Sequence, residues 1–345
     1  MNNENATQNL IQAVTDNNVD AVRAAIQEGA DVNTYADFPN PNAAYNGWSD
    51  HNGGTIHIPQ TYSTTVLDYA DERGHEEVVK ALLEAKARPD TKANNGSPLK
   101  KAIQDNKTAV AKWLVEHGAD IEEDSFPGTP LTIAAVTPNP ELVRFLLEKD
   151  AKVKDDTLAD ALAPDIFYRK YHDGKECSDR LVPVIEMLTQ AGADVNRYEK
   201  GKTALHKALS LTYSGFSPED ARAVIEAVIN AGANLEAKDG RGETPIFYAA
   251  EHHLPDRLRL LIDHGAKADV KDGKGHSLLD RVRFDACNDC DKVYRDEKIE
   301  LIEAALKKER MPKPARGKHA VPVYRSHADR VTINDDTGKS GEISL

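Results

Sequence analysis

The chain repeats itself, and that constrains what it can fold into more than any other feature does. Gly96-Ser97-Pro98-Leu99, Gly128-Thr129-Pro130-Leu131 and Gly242-Glu243-Thr244-Pro245-Ile246 are copies of one phrase. Thr65-Val66-Leu67, Thr203-Ala204-Leu205-His206 and Ser277-Leu278-Leu279 are weaker copies. A second phrase follows in each unit: Gly29-Ala30-Asp31-Val32-Asn33, Gly118-Ala119-Asp120-Ile121-Glu122, Gly192-Ala193-Asp194-Val195-Asn196, Gly232-Ala233-Asn234-Leu235-Glu236 and Gly265-Ala266-Lys267-Ala268-Asp269. Between the two phrases stand apolar pairs such as Val78/Val79/Leu82/Leu83 and Leu142/Val143/Leu146/Leu147, the spacing of a helix with one broad apolar stripe. Ser or Thr before the first helix is expected to cap its free N–H groups, with Pro tolerated in the first turn. Gly after the second helix supplies the left-handed residue that ends it. Turns such as Asp239-Gly240-Arg241-Gly242 reverse the chain into the next unit. One helix pair cannot bury its own stripe, so the units must stack.

The phrases and their period of about 33 residues resemble the ankyrin-repeat family. The resemblance implies an all-α solenoid of stacked helix-turn-helix units joined by hairpin-like loops. We read about eight units over residues 6–310. Residues 1–33 are an N-terminal capping repeat, 34–64 an inserted loop, 65–310 repeats 2–8, and 311–345 a tail. The fifth unit, opening at Asp156-Thr157-Leu158-Ala159-Asp160-Ala161, matches worst, and only His206 keeps the family's Thr-Pro-Leu-His histidine.

In such an array the regular residues account for folding, and the irregular ones are where function is expected. The loop at 34–64 holds Tyr35, Phe38, Tyr45, Trp48 and Tyr62, with His51 and His57. Aromatic side chains are over-represented at interface hot spots, so these residues are candidate partner contacts. Further insertions at 164–182, 211–218 and 284–297 interrupt the fifth, sixth and eighth units between their two helices. They contribute Phe167, Tyr168, Tyr171, Tyr213 and Phe216 as candidates. In proteins of the resembling family these helix-joining turns lie on the edge opposite the hairpins, so two interaction edges are expected.

The net charge of −13 is the wrong field for nucleic acid and the right one for a basic protein surface. No apolar run approaches the ~18 residues of a membrane span, and the start lacks a secretory pattern. Three cysteines make no disulfide framework, so a cytoplasmic protein is expected. Cys287-Asn288-Asp289-Cys290 is a lone C-x-x-C, short of the four ligands a structural zinc needs. It supports a metal- or redox-responsive regulator only as the alternative reading. No nucleophile elbow, phosphate loop or dinucleotide fingerprint is present, so neither an enzyme nor a cofactor is expected. The reading is a module that binds one protein partner through its concave face and inserted loops, monomeric before it does so, acting as an inhibitor or immunity protein or as an adaptor or effector. The tail is basic in its first half (Lys313, Arg316, Lys318, Arg325, Arg330), and Asp335-Asp336-Thr337-Gly338 is a turn signal ahead of a returning strand; two readings stand, a disordered tail or one folded back over the apolar end of the last repeat.

Overall fold

The structure is a computed structural model that describes residues 2–40, 60–90, 97–163, 177–211, 217–251, 255–284 and 292–310, and the backbone of 333–334 and 340–341. The described residues form eight helix pairs: α1 (Asn2–Thr15) with α2 (Val19–Gln27), α3 (Val66–Arg73) with α4 (Glu76–Glu84), α5 (Pro98–Gln104) with α6 (Thr108–Glu116), and α7 (Pro130–Val136) with α8 (Pro140–Glu148). The chain continues with α9 (Thr157–Ala161) and α10 (Cys177–Gln190), α11 (Ala204–Leu209) and α12 (Pro218–Asn230), α13 (Pro245–Glu251) and α14 (Pro255–Asp263), and α15 (Leu278–Phe284) and α16 (Lys292–Arg310). Each first helix packs on the first helix of the next pair, from α1 through α15. Second helices stack likewise from α2 to α12, and α14 packs on α16. One continuous apolar core therefore runs from Leu10 to Ala305. A solenoid has no centre, and each unit is buried only by its neighbours.

The sequence phrases do the work assigned to them, with exceptions. Hydroxyls of Thr65, Thr129, Ser217 and Ser277 accept hydrogen bonds from the backbone N–H three residues on. Ser97 stands in the same place without a side-chain cap. The five Gly-Ala phrases each put a left-handed glycine after the second helix. Lys86 and Asp150 take that conformation at the same point in units two and four (φ 65° and 63°), so the turn is kept where the Gly-Ala phrase is missing. Positive φ costs a non-glycine residue about 1–2 kcal/mol, a strain that the stacked neighbours sustain.

The units are joined by a repeated bond that the sequence analysis did not foresee. The residue four past each left-handed position accepts a hydrogen bond from the backbone N–H two past the left-handed position of the next unit. Asn33 accepts from Arg88 (2.8 Å), Asp90 from Asp120 (3.0 Å), and Glu122 from Lys152 (2.8 Å). Asn196 accepts from Asn234 (2.6 Å) and Glu236 from Lys267 (2.8 Å). Lys154 occupies the acceptor position between units four and five. An ammonium only donates, so this rung is missing among the described residues. Lys154 instead forms an ion pair with Asp124.

Beyond the array, β3 (Ile333–Asn334) and β4 (Ser340–Gly341) pair antiparallel around the turn signal, with Ile333 opposite Gly341.

Candidate partner-binding surface

Residues 35–39 and 61–65 form an antiparallel ladder, β1 (Tyr35–Pro39) on β2 (Thr61–Thr65), in register Tyr35 to Thr65 and Pro39 to Thr61. Asn40 N–H continues it to Gln60 C=O at 2.8 Å. The long insertion therefore stands on a two-stranded stalk, where the sequence analysis read only a loop. Along β1, Tyr35, Asp37 and Pro39 face solvent while Phe38 faces the core, the period of two expected of a strand.

This arrangement corrects the part given to Phe38. Its ring is fully buried and stacked on Tyr69, centroids 4.1 Å apart and planes 15° apart. Arg73 lies over the same Tyr69 ring at 5.3 Å and donates to Pro39 C=O at 3.4 Å. Phe38 is thus an internal anchor and offers no surface to a partner. Tyr62 is half-buried, and its hydroxyl donates to Glu72. Burial, then that hydrogen bond, holds the phenol protonated above the ordinary tyrosine range. Tyr35 is 59% exposed and remains available. Tyr45, Trp48, His51 and His57 lie outside the described residues, as do Phe167, Tyr168, Tyr171, Tyr213 and Phe216.

The flanks of the other insertions are described, and they lie between the two helices of a unit: α9 and α10, α11 and α12, α15 and α16. At two of these helix ends, and at the end of α13, a buried or half-buried cation from the following unit donates to a backbone carbonyl. Lys207 reaches Ala159 C=O (2.9 Å), Arg257 reaches Leu209 C=O (2.9 Å) and Lys298 reaches Ala250 C=O (2.8 Å). A cation satisfies a helix C-terminus doubly, by filling an orphan carbonyl and by opposing the dipole. Lys207 also pairs with Glu199, and its burial lowers its pKa. A cleft between α12 and α14 is lined by Pro218, Glu219, Arg222, Asp256, Arg257 and Leu260 on this edge.

The hairpin-like connectors hold a dense polar cluster. Asp239 accepts from Arg241 N–H and Glu243 N–H at 2.8 Å each and from the Tyr248 hydroxyl at 2.8 Å. Burial alone would raise its pKa, but these hydrogen bonds hold the carboxyl below its usual range. Glu243 is buried and pushed up, against the pull of Arg241 (2.7 Å) and Arg281 (3.1 Å). His206, fully buried, bonds the Thr203 hydroxyl at 2.8 Å and Glu243 C=O at 3.2 Å, and burial lowers its pKa. These groups tie consecutive units together by bonding one another. The remaining connectors expose two aromatics that the sequence analysis passed over: Phe126, 96% exposed beside the Ser125–Gly128 bridge, and Tyr198. An aromatic in Ser125-Phe126-Pro127-Gly128, where the sister connectors carry Asn94, Lys200, Arg241 and Lys274, was the readable signal.

Among the described residues no group of three His, Cys, Asp or Glu is placed to hold a metal ion. Cys287 and Cys290 lie outside them. No described helix is long and apolar enough to cross a membrane.

Known proteins agree with this architecture. The family model for ankyrin repeats (three copies) matches residues 67–157 and 176–272. Human ankyrin repeat and SOCS box protein 16 is 25% identical over 271 residues, covering 78% of this chain and 57% of that protein. The mouse protein of the same name is 26% identical over 235 residues, 68% of this chain and 50% of its own length. The chain thus spans about half the length of these relatives. Among solved structures, the ankyrin repeat domain of Bcl-3, described as a unique member of the IkappaB protein family, superposes with a TM-score of 0.50 at 19% identity. It covers 70% of this chain and 98% of that domain. With the family model on more than half of its residues and the same stacked helix pairs, the chain belongs to the ankyrin-repeat family.

Proposed function

We propose that this protein binds one protein partner through its connectors and inserted loops and acts as an inhibitor or adaptor. Ankyrin repeats are protein–protein interaction modules. The observation that carries the reading is the stalk. Phe38, Tyr69, Arg73 and the β1–β2 ladder hold a 19-residue insertion, 41–59, at fixed ends on the array. A rigid base lowers the ordering cost of whatever the loop contacts, which favours tight binding. The loop's Trp48, Tyr45, His51 and His57 are the proposed contacts, with the aromatics of 164–176 and 212–216 as a second group. The acidic balance favours a basic partner.

The test uses the tagged protein in its native extract, with co-purifying proteins identified by mass spectrometry. The informative variant replaces 41–59 with a two-residue Asn-Gly turn between Asn40 and Gln60, which are already hydrogen-bonded. That change keeps Phe38 in place, so the fold is retained. A stoichiometric partner lost from this variant supports the reading. A partner retained by it and by variants of both other insertions removes the loops from the account.

A further inference from the structure

Four described rings of this protein carry a cation over the face. Trp113 has Lys80 over its face at 5.5 Å, Phe145 has Lys112 and Lys149 at 5.5 Å, and Tyr69 has Arg73 at 5.3 Å. Tyr248 has Lys202 at 5.1 Å and Arg241 at 5.4 Å. The exposed connector rings Tyr35, Phe126 and Tyr198 are not among them. Among the described residues no cation covers any of the three, and the charge of the connectors is what separates Tyr35 and Phe126 from Tyr198.

Charge at those two connectors is one-sided as well. Residues 31–39 carry Asp31 and Asp37, residues 118–128 carry Asp120, Glu122, Glu123 and Asp124, and neither stretch has a Lys or Arg. Lys154 pairs with Asp124, and Lys100 lies 3.8 Å from Glu123. Asp31, Asp37, Asp120 and Glu122 have no ion-pair partner among the described residues. By contrast, the connector of Tyr198 mixes Asp194 and Glu199 with Arg197, Lys200 and Lys202.

We infer that the connector edge of units one to four is a docking surface for an extended Lys/Arg-bearing segment of a partner protein, with one cation on Phe126 and another on Tyr35. An uncovered ring flanked by unpaired carboxylates attracts a cation twice, through the ring face and through the charge. Spacing fixes the register. The two connectors are two units apart, about 16–20 Å at the usual separation of packed helices. An extended strand rises about 3.3 Å per residue, so the partner's cations stand about five or six residues apart. The inference rests on the binding reading above and adds the surface used and the chemistry of the occupant.

The probe is a fluorescein-labelled Gly-Ser peptide carrying two Arg-Arg pairs six residues apart, titrated by anisotropy into the full chain at low salt. A control peptide carries Glu-Glu pairs. We expect the Arg peptide alone to bind, F126A and Y35A each to weaken it several-fold, and D120N/E122Q to flatten its salt dependence. Both rings are exposed, so circular dichroism melts of F126A and Y35A are expected to match the parent. Equal binding of the two peptides, or affinity unchanged in F126A and Y35A, would overturn the proposal. If the parent fails to bind but a full-length K313Q/R316Q/K318Q/R325Q/R330Q variant binds, the occupant is the chain's own basic segment and the partner assignment is wrong. A co-purifying partner that F126A/Y35A still captures would leave the binding reading standing and sink this edge alone.

Discussion

The first four units and the last four are joined to their neighbours by different means. In units one to four the connectors meet through side chains. Asn33, Asp90 and Glu122 each hold a backbone N–H of the next unit, and a stalked insertion rises between units one and two. In units five to eight the connectors also meet backbone to backbone. Gly240 N–H donates to Gly201 C=O at 3.1 Å, and Gly273 N–H to Arg241 C=O at 3.0 Å. Cations reach helix carbonyls of the preceding unit in both halves, Lys107 on Asp71 C=O as well as Lys207, Arg257 and Lys298 on Ala159, Leu209 and Ala250. Side-chain links tolerate bulk and charge at the connector tip, so an aromatic such as Phe126 can stand free there. Backbone contact requires glycine at the point of approach and leaves little room for a projecting ring. Phe126, the most exposed aromatic among the described residues, stands on the half whose connectors are joined through side chains.

Four changes would break or sharpen this contrast. Phe38→Ala removes the stalk's buried anchor and is expected to cost about 3–5 kcal/mol in the N-terminal half, read by chemical denaturation. If F38A leaves stability unchanged, the stalk is not held by this stack. Gly273→Ala places a Cβ 2.4 Å from Arg241 C=O and forces the last connectors apart. A loss of about 1–3 kcal/mol is expected, confined by hydrogen exchange to units six to eight. Spread of the effect into units one to three would argue against separate modes of joining.

The third change concerns pH. Asp71 is buried at the end of α3 beside Lys107 (3.2 Å), and burial outweighs that cation, so its carboxyl is pushed up to about 6. Its folded pKa lies above the unfolded value. The native state therefore binds more protons between about pH 4 and 6, and this group makes stability fall as pH rises through that window. Asp71→Asn should flatten that fall in urea midpoints measured from pH 4 to 7. An identical slope in D71N would assign the titration elsewhere. Smallest in energy is Lys154→Asn, which supplies the acceptor missing between units four and five. A gain of about 0.5–1 kcal/mol and a more concerted melt of the two halves are expected, with Asp194 N–H gaining exchange protection. No added protection there would mean that the rung cannot form at this junction.

The fold class was legible because each phrase encodes a local requirement. Thr129-Pro130-Leu131 starts a helix and Gly118-Ala119 ends one, whatever surrounds them. The candidate surface was less legible. Tyr35, Phe38 and Tyr62 look alike as aromatics in a loop. Only the pairing of β1 with β2 fixes the alternation that sends Phe38 inward and leaves Tyr35 in solvent. Phe126 was passed over because it sits in a regular connector, where attention to insertions does not reach.

By itself the sequence determined the period, the order of helices and turns, the acidic balance and the places where insertions interrupt the array. These are short-range matters of capping, backbone freedom and apolar spacing, written within each unit of about 33 residues. Tertiary structure alone decided which side chains bridge units. Asn33 finds Arg88, Lys298 finds Ala250, and Gly273 meets Arg241, over separations of 55, 48 and 32 residues. Those bonds depend on how neighbouring units lie against each other. Packing settles that across a whole interface, and no single repeat contains it.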